Sequence, residues 1–77
     1  MPVYTYSDFR KVLERLGFET VRQRGHETWR KAQGSEINRV TLSHQQGRDI
    51  PRPLFRKMLK QAGIVDEDQF ARILRSR

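Results

Sequence analysis

The sequence predicts an α+β fold in which helices cover one face of a three-stranded antiparallel sheet. Two stretches repeat apolar residues at helical spacing, one in each half of the chain. Between them, β-branched and aromatic residues flank glycines, a pattern typical of strands joined by tight turns. A chain of 77 residues has no other material to bury the sheet. We therefore expect one domain, residues 1–77, built as a two-layer sandwich.

The first helix is predicted to begin after Ser7 as the N-cap residue and to run through Leu16. Asp8 falls in its first turn, where a negative charge complements the helix dipole. Gly17 is expected to end the helix in the left-handed conformation that glycine adopts without strain. One side of the helix should face the core, because apolar residues repeat there, namely Phe9, Val12, Leu13 and Leu16.

A β-hairpin is predicted around Gly25, and His26 follows the turn at the start of the second strand. The basic residues around this histidine are Arg22, Arg24 and Arg30. Guanidinium groups attract a phosphate, and a neutral imidazole accepts a proton, so the stretch is suited to chemistry on a phosphodiester. The alternative is that His26 is an ordinary polar residue on the rim of the hairpin.

The remaining predicted elements are a third strand over residues 37–42, a second helix and a short C-terminal helix. Pro53 suits the first turn of the second helix, Gly63 ends it, and Asp66 caps the last helix. Trp29 is expected to cover one face of the sheet rather than to stack on a nucleobase. The order α-β-β-β-α is also that of the double-stranded-RNA-binding domain (dsRBD), although topology alone does not give function.

The charge of the chain predicts a polyanionic partner. Sixteen Lys and Arg residues, twelve of them Arg, stand against nine acidic residues and give a net charge of +7. Arginine excess suits recognition of phosphate, so nucleic acid and an acidic protein both fit. The chain has no cysteine, no apolar run near the ~20 residues of a membrane span, and no start typical of a signal peptide. We therefore expect a cytoplasmic protein that is not associated with a membrane.

Five segments occur in a specific order and spacing along the chain. They are residues 13–18 at the end of the first helix, 22–26 at the hairpin, 40–42 in the third strand, 47–51 in the next loop and 58–64 in the second helix. Together they resemble the HicA (YcfA-like) toxin family, small ribonucleases of bacterial toxin–antitoxin pairs. The resemblance covers nearly the whole chain. It implies a dsRBD-like fold, cleavage of mRNA and inhibition by a cognate HicB-type antitoxin.

His26 aligns with the catalytic histidine of that family because the aromatic-basic pair at residues 29–30 keeps its place after it. The family usually has a small residue between the glycine and this histidine, whereas here His26 follows Gly25 directly. Glu27 replaces what is often a second histidine. The other imidazole, His44, lies in the loop after the third strand, outside the family's catalytic position, and is interpreted as a solvated loop residue.

RNA carries its own nucleophile, the 2′-hydroxyl, so cleavage needs a base, positive charge at the phosphate and help for the leaving 5′-oxygen. His26 is the predicted general base, and Arg22, Arg24 and Arg30 are the candidate RNA ligands. No metal or other cofactor is expected, since the acidic residues are scattered except at positions 66–68, where helix capping explains them.

Two other functions stay open at this stage. The same basic surface suits a non-catalytic RNA-binding module, in which His26 only contacts RNA. It also suits a degenerate toxin that survives as the partner of an acidic antitoxin.

Overall fold

The computed structural model describes residues 3–23, 25–43 and 47–76. Three antiparallel strands form one sheet in the order β1-β2-β3, and three helices accompany it. This arrangement confirms the predicted α+β class and the order of its elements. The elements are α1 (Tyr6–Arg15), β1 (Glu19–Gln23), β2 (His26–Gln33), β3 (Glu36–Ser43), α2 (Arg52–Ala62) and α3 (Glu67–Arg75).

The first helix begins earlier than the sequence predicts. Thr5, and not Ser7, is the N-cap residue: its hydroxyl accepts a hydrogen bond from the Asp8 amide at 3.1 Å. The Asp8 carboxylate in turn accepts the Thr5 amide at 3.0 Å, which completes a capping box. Thr5 also forms an antiparallel bridge with Asp49. Both candidate caps have a hydroxyl, so the long-range bridge and the reciprocal carboxylate favour Thr5.

The predicted glycine ends of α1 and α2 are confirmed. Gly17 and Gly63 have φ angles of 89° and 75°, in the left-handed region. After α1, the Phe18 amide donates to the Leu13 carbonyl at 3.0 Å, and after α2 the Ile64 amide makes the equivalent bond at 3.0 Å. Carbonyls at the helix ends are thereby satisfied, and the chain turns toward the sheet after α1.

The strand register is set by two short turns. Gln23 pairs with His26 and Gln33 pairs with Glu36, so each connection spans two residues. Gly25 and Gly34 have positive φ angles in these turns, as tight hairpins require. The register matters for the site because neighbouring residues of a strand point to opposite faces of the sheet.

One face of the sheet is packed against the helices and the other is open. Trp29, Val40 and Leu42 are buried on the packed face, as was predicted for Trp29. Half-buried Asn38 continues the inward row of β3, which explains why the alternation of that strand is interrupted, and Ile37 lies exposed on the open face.

An aromatic cluster joins the helices on the packed side. Phe70 of α3 is fully buried, with its ring centroid 4.8 Å from Tyr4 and 5.0 Å from both Phe9 and Phe55. Asp66 caps α3 as predicted and accepts the Gln69 amide at 2.8 Å. The C-terminal helix is therefore part of the core. Within the described residues, no helix is long and apolar enough to cross a bilayer.

Candidate functional site

The predicted catalytic residue, His26, lies at the first position of β2, directly after the turn. It is half-buried, whereas the next residue, Glu27, is buried on the packed face. Because side chains alternate along a strand, His26 belongs to the open face of the sheet, at its hairpin end. Its partner across the β2–β3 ladder is Ser43, the last residue of β3. The imidazole thus sits where a large ligand has access.

Arg30 shares this open face, four residues further along β2, and is exposed. At about 3.3 Å per residue it lies ~13 Å along the strand from His26. Directly across the ladder from Arg30 is Arg39, which is also exposed. Two like charges placed opposite each other destabilise a sheet. Glu19, on the other side of Arg30 in the β1–β2 register, balances only part of this charge. The row therefore favours a polyanionic ligand.

The part of the chain that the structure describes does not place the other two predicted RNA ligands, Arg22 and Arg24, on the face of His26. Arg22 pairs with Glu27 in the β1–β2 register, so its position belongs to the row that alternates with that of His26. Arg24 and His44 lie outside the described residues. Of the three predicted arginines, the structure thus brings Arg30 onto the face of His26.

Glu27 is the only buried charged residue among those described, with 3% of its surface exposed. Its Oε1 accepts a hydrogen bond from Nε of Arg10 in α1 at 2.8 Å and another from Nε1 of Trp29 at 3.0 Å. The position that the family often fills with a second histidine is here a structural carboxylate facing the core.

Arg10 also contacts β3, the strand that pairs with the His26 end of β2. Its Nη2 donates to the main-chain carbonyl of Ser43 at 3.1 Å. A single guanidinium from α1 therefore holds the residue that follows His26 and the residue that pairs with His26. The third nitrogen, Nη1, is buried with no hydrogen-bond partner in the described part of the chain.

A shallow concavity of about 510 Å³ lies at the far end of the sheet from His26, where Arg30, Lys31 and Ile37 contribute to its lining. His26 is not among the residues that line this concavity. Its position at the hairpin end of the open face is suited to a polymer that lies across the surface. Among residues 3–23, 25–43 and 47–76, no group of three or more His, Cys, Asp or Glu residues is placed to hold a metal ion.

The fold, the charge and a half-buried histidine at the end of an arginine-bearing sheet define a small basic protein of the α+β class. Comparison with protein families gives the particular family: the model described as HicA toxin of bacterial toxin–antitoxin systems matches residues 6–64. The chain belongs to the HicA toxin family, which implies an antitoxin partner. Comparison with curated proteins and with solved structures gives no match.

Three contributors to the site were not predicted from the sequence. Arg39 has no local signal, because only the ladder register places it beside Arg30. Arg10 and Glu27 are seventeen positions apart and come together only when α1 packs on the sheet. The sequence did contain one signal for Glu27. In β2 it lies two residues before Trp29 and thus on the same, packed face, where a charged residue needs a partner.

Proposed function

We propose that this chain is the toxin of a type II toxin–antitoxin pair and acts as a metal-independent endoribonuclease on mRNA, with His26 as general base. The observation that carries the proposal is the position of His26. It stands half-exposed on the open sheet face, at the hairpin end, in a row that continues to Arg30 and its neighbour Arg39. Family membership over residues 6–64 supports the toxin role.

The proposed reaction uses the substrate's own 2′-hydroxyl. The neutral imidazole of His26 takes the proton of that hydroxyl, and the 2′-oxygen attacks the adjacent phosphorus. The bond from phosphorus to the 5′-oxygen breaks, and the leaving oxygen takes up a proton from water. The proton that His26 accepted is then released to the solvent. The products are a 2′,3′-cyclic phosphate and a 5′-hydroxyl. Histidine suits this role because much of its imidazole is neutral near pH 7.

The arginines have a separate role in the proposal. Arg30 lies ~13 Å along the strand from His26, which is too far to contact the phosphate under attack. Together with Arg39 it holds phosphates further along the RNA. Arg22 and Arg24, which flank the turn in the sequence, stay the predicted source of positive charge at the reacting phosphate, although the strand register puts Arg22 in the row that alternates with that of His26. Positive charge at the developing phosphorane is the second requirement of the chemistry.

The partner in the proposal is a HicB-type antitoxin. An acidic protein complements a chain of net charge +7, and rapid capture of the toxin is favoured by such complementarity. Expression of the native chain is expected to arrest growth unless the antitoxin is co-expressed or His26 is replaced.

The test is cleavage of a long single-stranded RNA in the presence of EDTA by the native chain and by His26→Ala. Removal of a general base lowers the rate by about 10²–10⁴-fold, and the native products should have cyclic-phosphate ends. Ser35→Ala, in the turn at the opposite end of the sheet, is the matched control and should cleave like the native chain. Full activity of pure, folded His26→Ala contradicts the mechanism, and RNA binding without cleavage by the native chain favours a binding module instead.

A further inference from the structure

We propose that Arg10 and Glu27 form a positioning device that holds His26 in place for catalysis. The inference rests on the proposed function, and it assigns a task to a charged pair that the reaction itself does not use. Neither side chain belongs to the open face: Glu27 is buried, and the side chain of Arg10 is only 12% exposed.

The guanidinium of Arg10 holds two residues that are neighbours of His26. Nε of Arg10 bonds Oε1 of Glu27 at 2.8 Å, and Nη2 bonds the Ser43 carbonyl at 3.1 Å. Glu27 follows His26 in β2, and Ser43 is the ladder partner of His26 in β3. One planar guanidinium thus ties helix α1 to both strands beside the imidazole. Arginine is suited to this because its donors have a fixed geometry.

The pair acts at the end of the β2–β3 ladder, where His26 lies. The β2–β3 ladder begins with the His26–Ser43 pair. This pair lies at the margin of the sheet, because β2 starts at His26 directly after the hairpin turn and β3 ends at Ser43. Terminal ladder pairs open more easily than central ones, since less packing holds them. A reacting group at such a place needs support from another element, because a displacement of ~1 Å can lower a rate about 10²-fold.

The charges of Arg10 and Glu27 fix an orientation rather than add stability. Replacing a buried ion pair by neutral residues of similar size is often neutral or stabilising, so burial of the pair does not by itself indicate a need for stability. Trp29 Nε1 shares Oε1 of Glu27 at 3.0 Å, which fixes the carboxylate from the core side. The network of Arg10, Glu27 and Trp29 therefore holds the first residues of β2, among them His26, in one orientation relative to α1.

The test is the double variant Arg10→Met/Glu27→Gln. It removes both charges together, so that no lone buried charge results, and the glutamine Oε1 still accepts the hydrogen bond from Trp29. We expect the variant to fold, with kcat for RNA cleavage lowered at least tenfold and KM changed less than threefold, because the exposed arginines that bind RNA are intact. The Arg10→Lys variant keeps the positive charge but cannot donate to Glu27 and Ser43 with the fixed geometry of a guanidinium, so its kcat should fall in part.

Arg15→Met is the matched control. Arg15 also lies in α1, and its Nη1 also bonds main-chain carbonyls, those of Ile73 and Leu74, but these are in α3. The control removes one positive charge, whereas the double variant leaves the net charge unchanged, and it removes an exposed tether remote from His26. Its kcat should therefore stay within twofold of the native value. An equal loss of kcat in both variants, or an unchanged kcat in the double variant, overturns the proposal.

A second readout separates this proposal from the proposed function. Amide hydrogen exchange is measured for the pairs His26–Ser43 and Glu27–Leu42 and compared with Ala32–Ile37 at the other end of the same ladder. In the double variant, exchange at the hairpin end should accelerate at least tenfold while the other end is unchanged, and Arg15→Met should show neither effect. If the native chain does not cleave RNA, the proposed function fails. If amide exchange at the hairpin end of the double variant equals that of the native chain, the positioning device is refuted, whatever the result of the cleavage assay.

Discussion

Replacement of Phe70 by alanine should destabilise the protein severely, although this residue lies beyond the segment that matches the family. The side chain is fully buried and its ring meets those of Tyr4, Phe9 and Phe55 at centroid distances of 4.8–5.0 Å. Truncation of a buried Phe to Ala costs about 3–5 kcal/mol. Three aromatic neighbours, each worth about 0.5–1.5 kcal/mol beyond area, place this site near the top of that range. We expect a loss of ~4–5 kcal/mol.

That loss is large compared with the whole stability of the chain. A domain of 77 residues has a free energy of unfolding of about 4–12 kcal/mol. Urea unfolding of His26→Ala and of His26→Ala/Phe70→Ala, followed by the fluorescence of the buried Trp29, measures the difference without toxicity. Trp29 lies in the sheet, so a changed midpoint reports loss of the whole fold and not fraying of α3.

The control for this experiment is Val65→Ala, in the link before α3. Its side chain is 85% exposed, so the change in unfolding free energy should stay within about 0.5 kcal/mol. A chain that ends at Ile64, where the family match ends, should not fold. If Phe70→Ala loses less than about 1 kcal/mol, or if the shortened chain unfolds cooperatively, α3 is not part of the core and the reasoning is refuted.

Two smaller perturbations test the helix start and the arginine row. Thr5→Ala should lower the unfolding free energy by about 1 kcal/mol, because it removes the capping box. Ser7→Ala should change it by less than half of that. A larger loss for Ser7→Ala than for Thr5→Ala in urea unfolding would favour Ser7 as the cap. Arg39→Ala should weaken binding of single-stranded RNA by His26→Ala and reduce the slope of log K against log salt by about 0.7. The exposed Arg75 of α3 is the control, and an equal effect of Arg75→Ala would show that only net charge matters.

Local signals in the sequence were sufficient for most element boundaries. Gly17 and Gly63 end helices because a left-handed turn lets the following amides bond the last carbonyls of the helix, and this requirement involves only residues close in the chain. The hairpin at Gly25 was predictable for the same reason. The choice between Thr5 and Ser7 was predicted wrongly. The Thr5–Asp8 capping box is a local feature that favours Thr5, and the bridge from Thr5 to Asp49 adds a contact across more than forty positions that the sequence does not show.

The sequence by itself determined the fold class, the family and the identity of the candidate base. Periodicity, turn residues and charge are properties of short stretches, and a histidine after a hairpin glycine is visible without coordinates. The tertiary structure decided which groups work together. Register placed Arg30 and Arg39 in one row, and the packing of α1 on the sheet joined Arg10 to Glu27 beside His26. Such pairings depend on which face each residue occupies, and a shift of one residue along a strand would reverse them all.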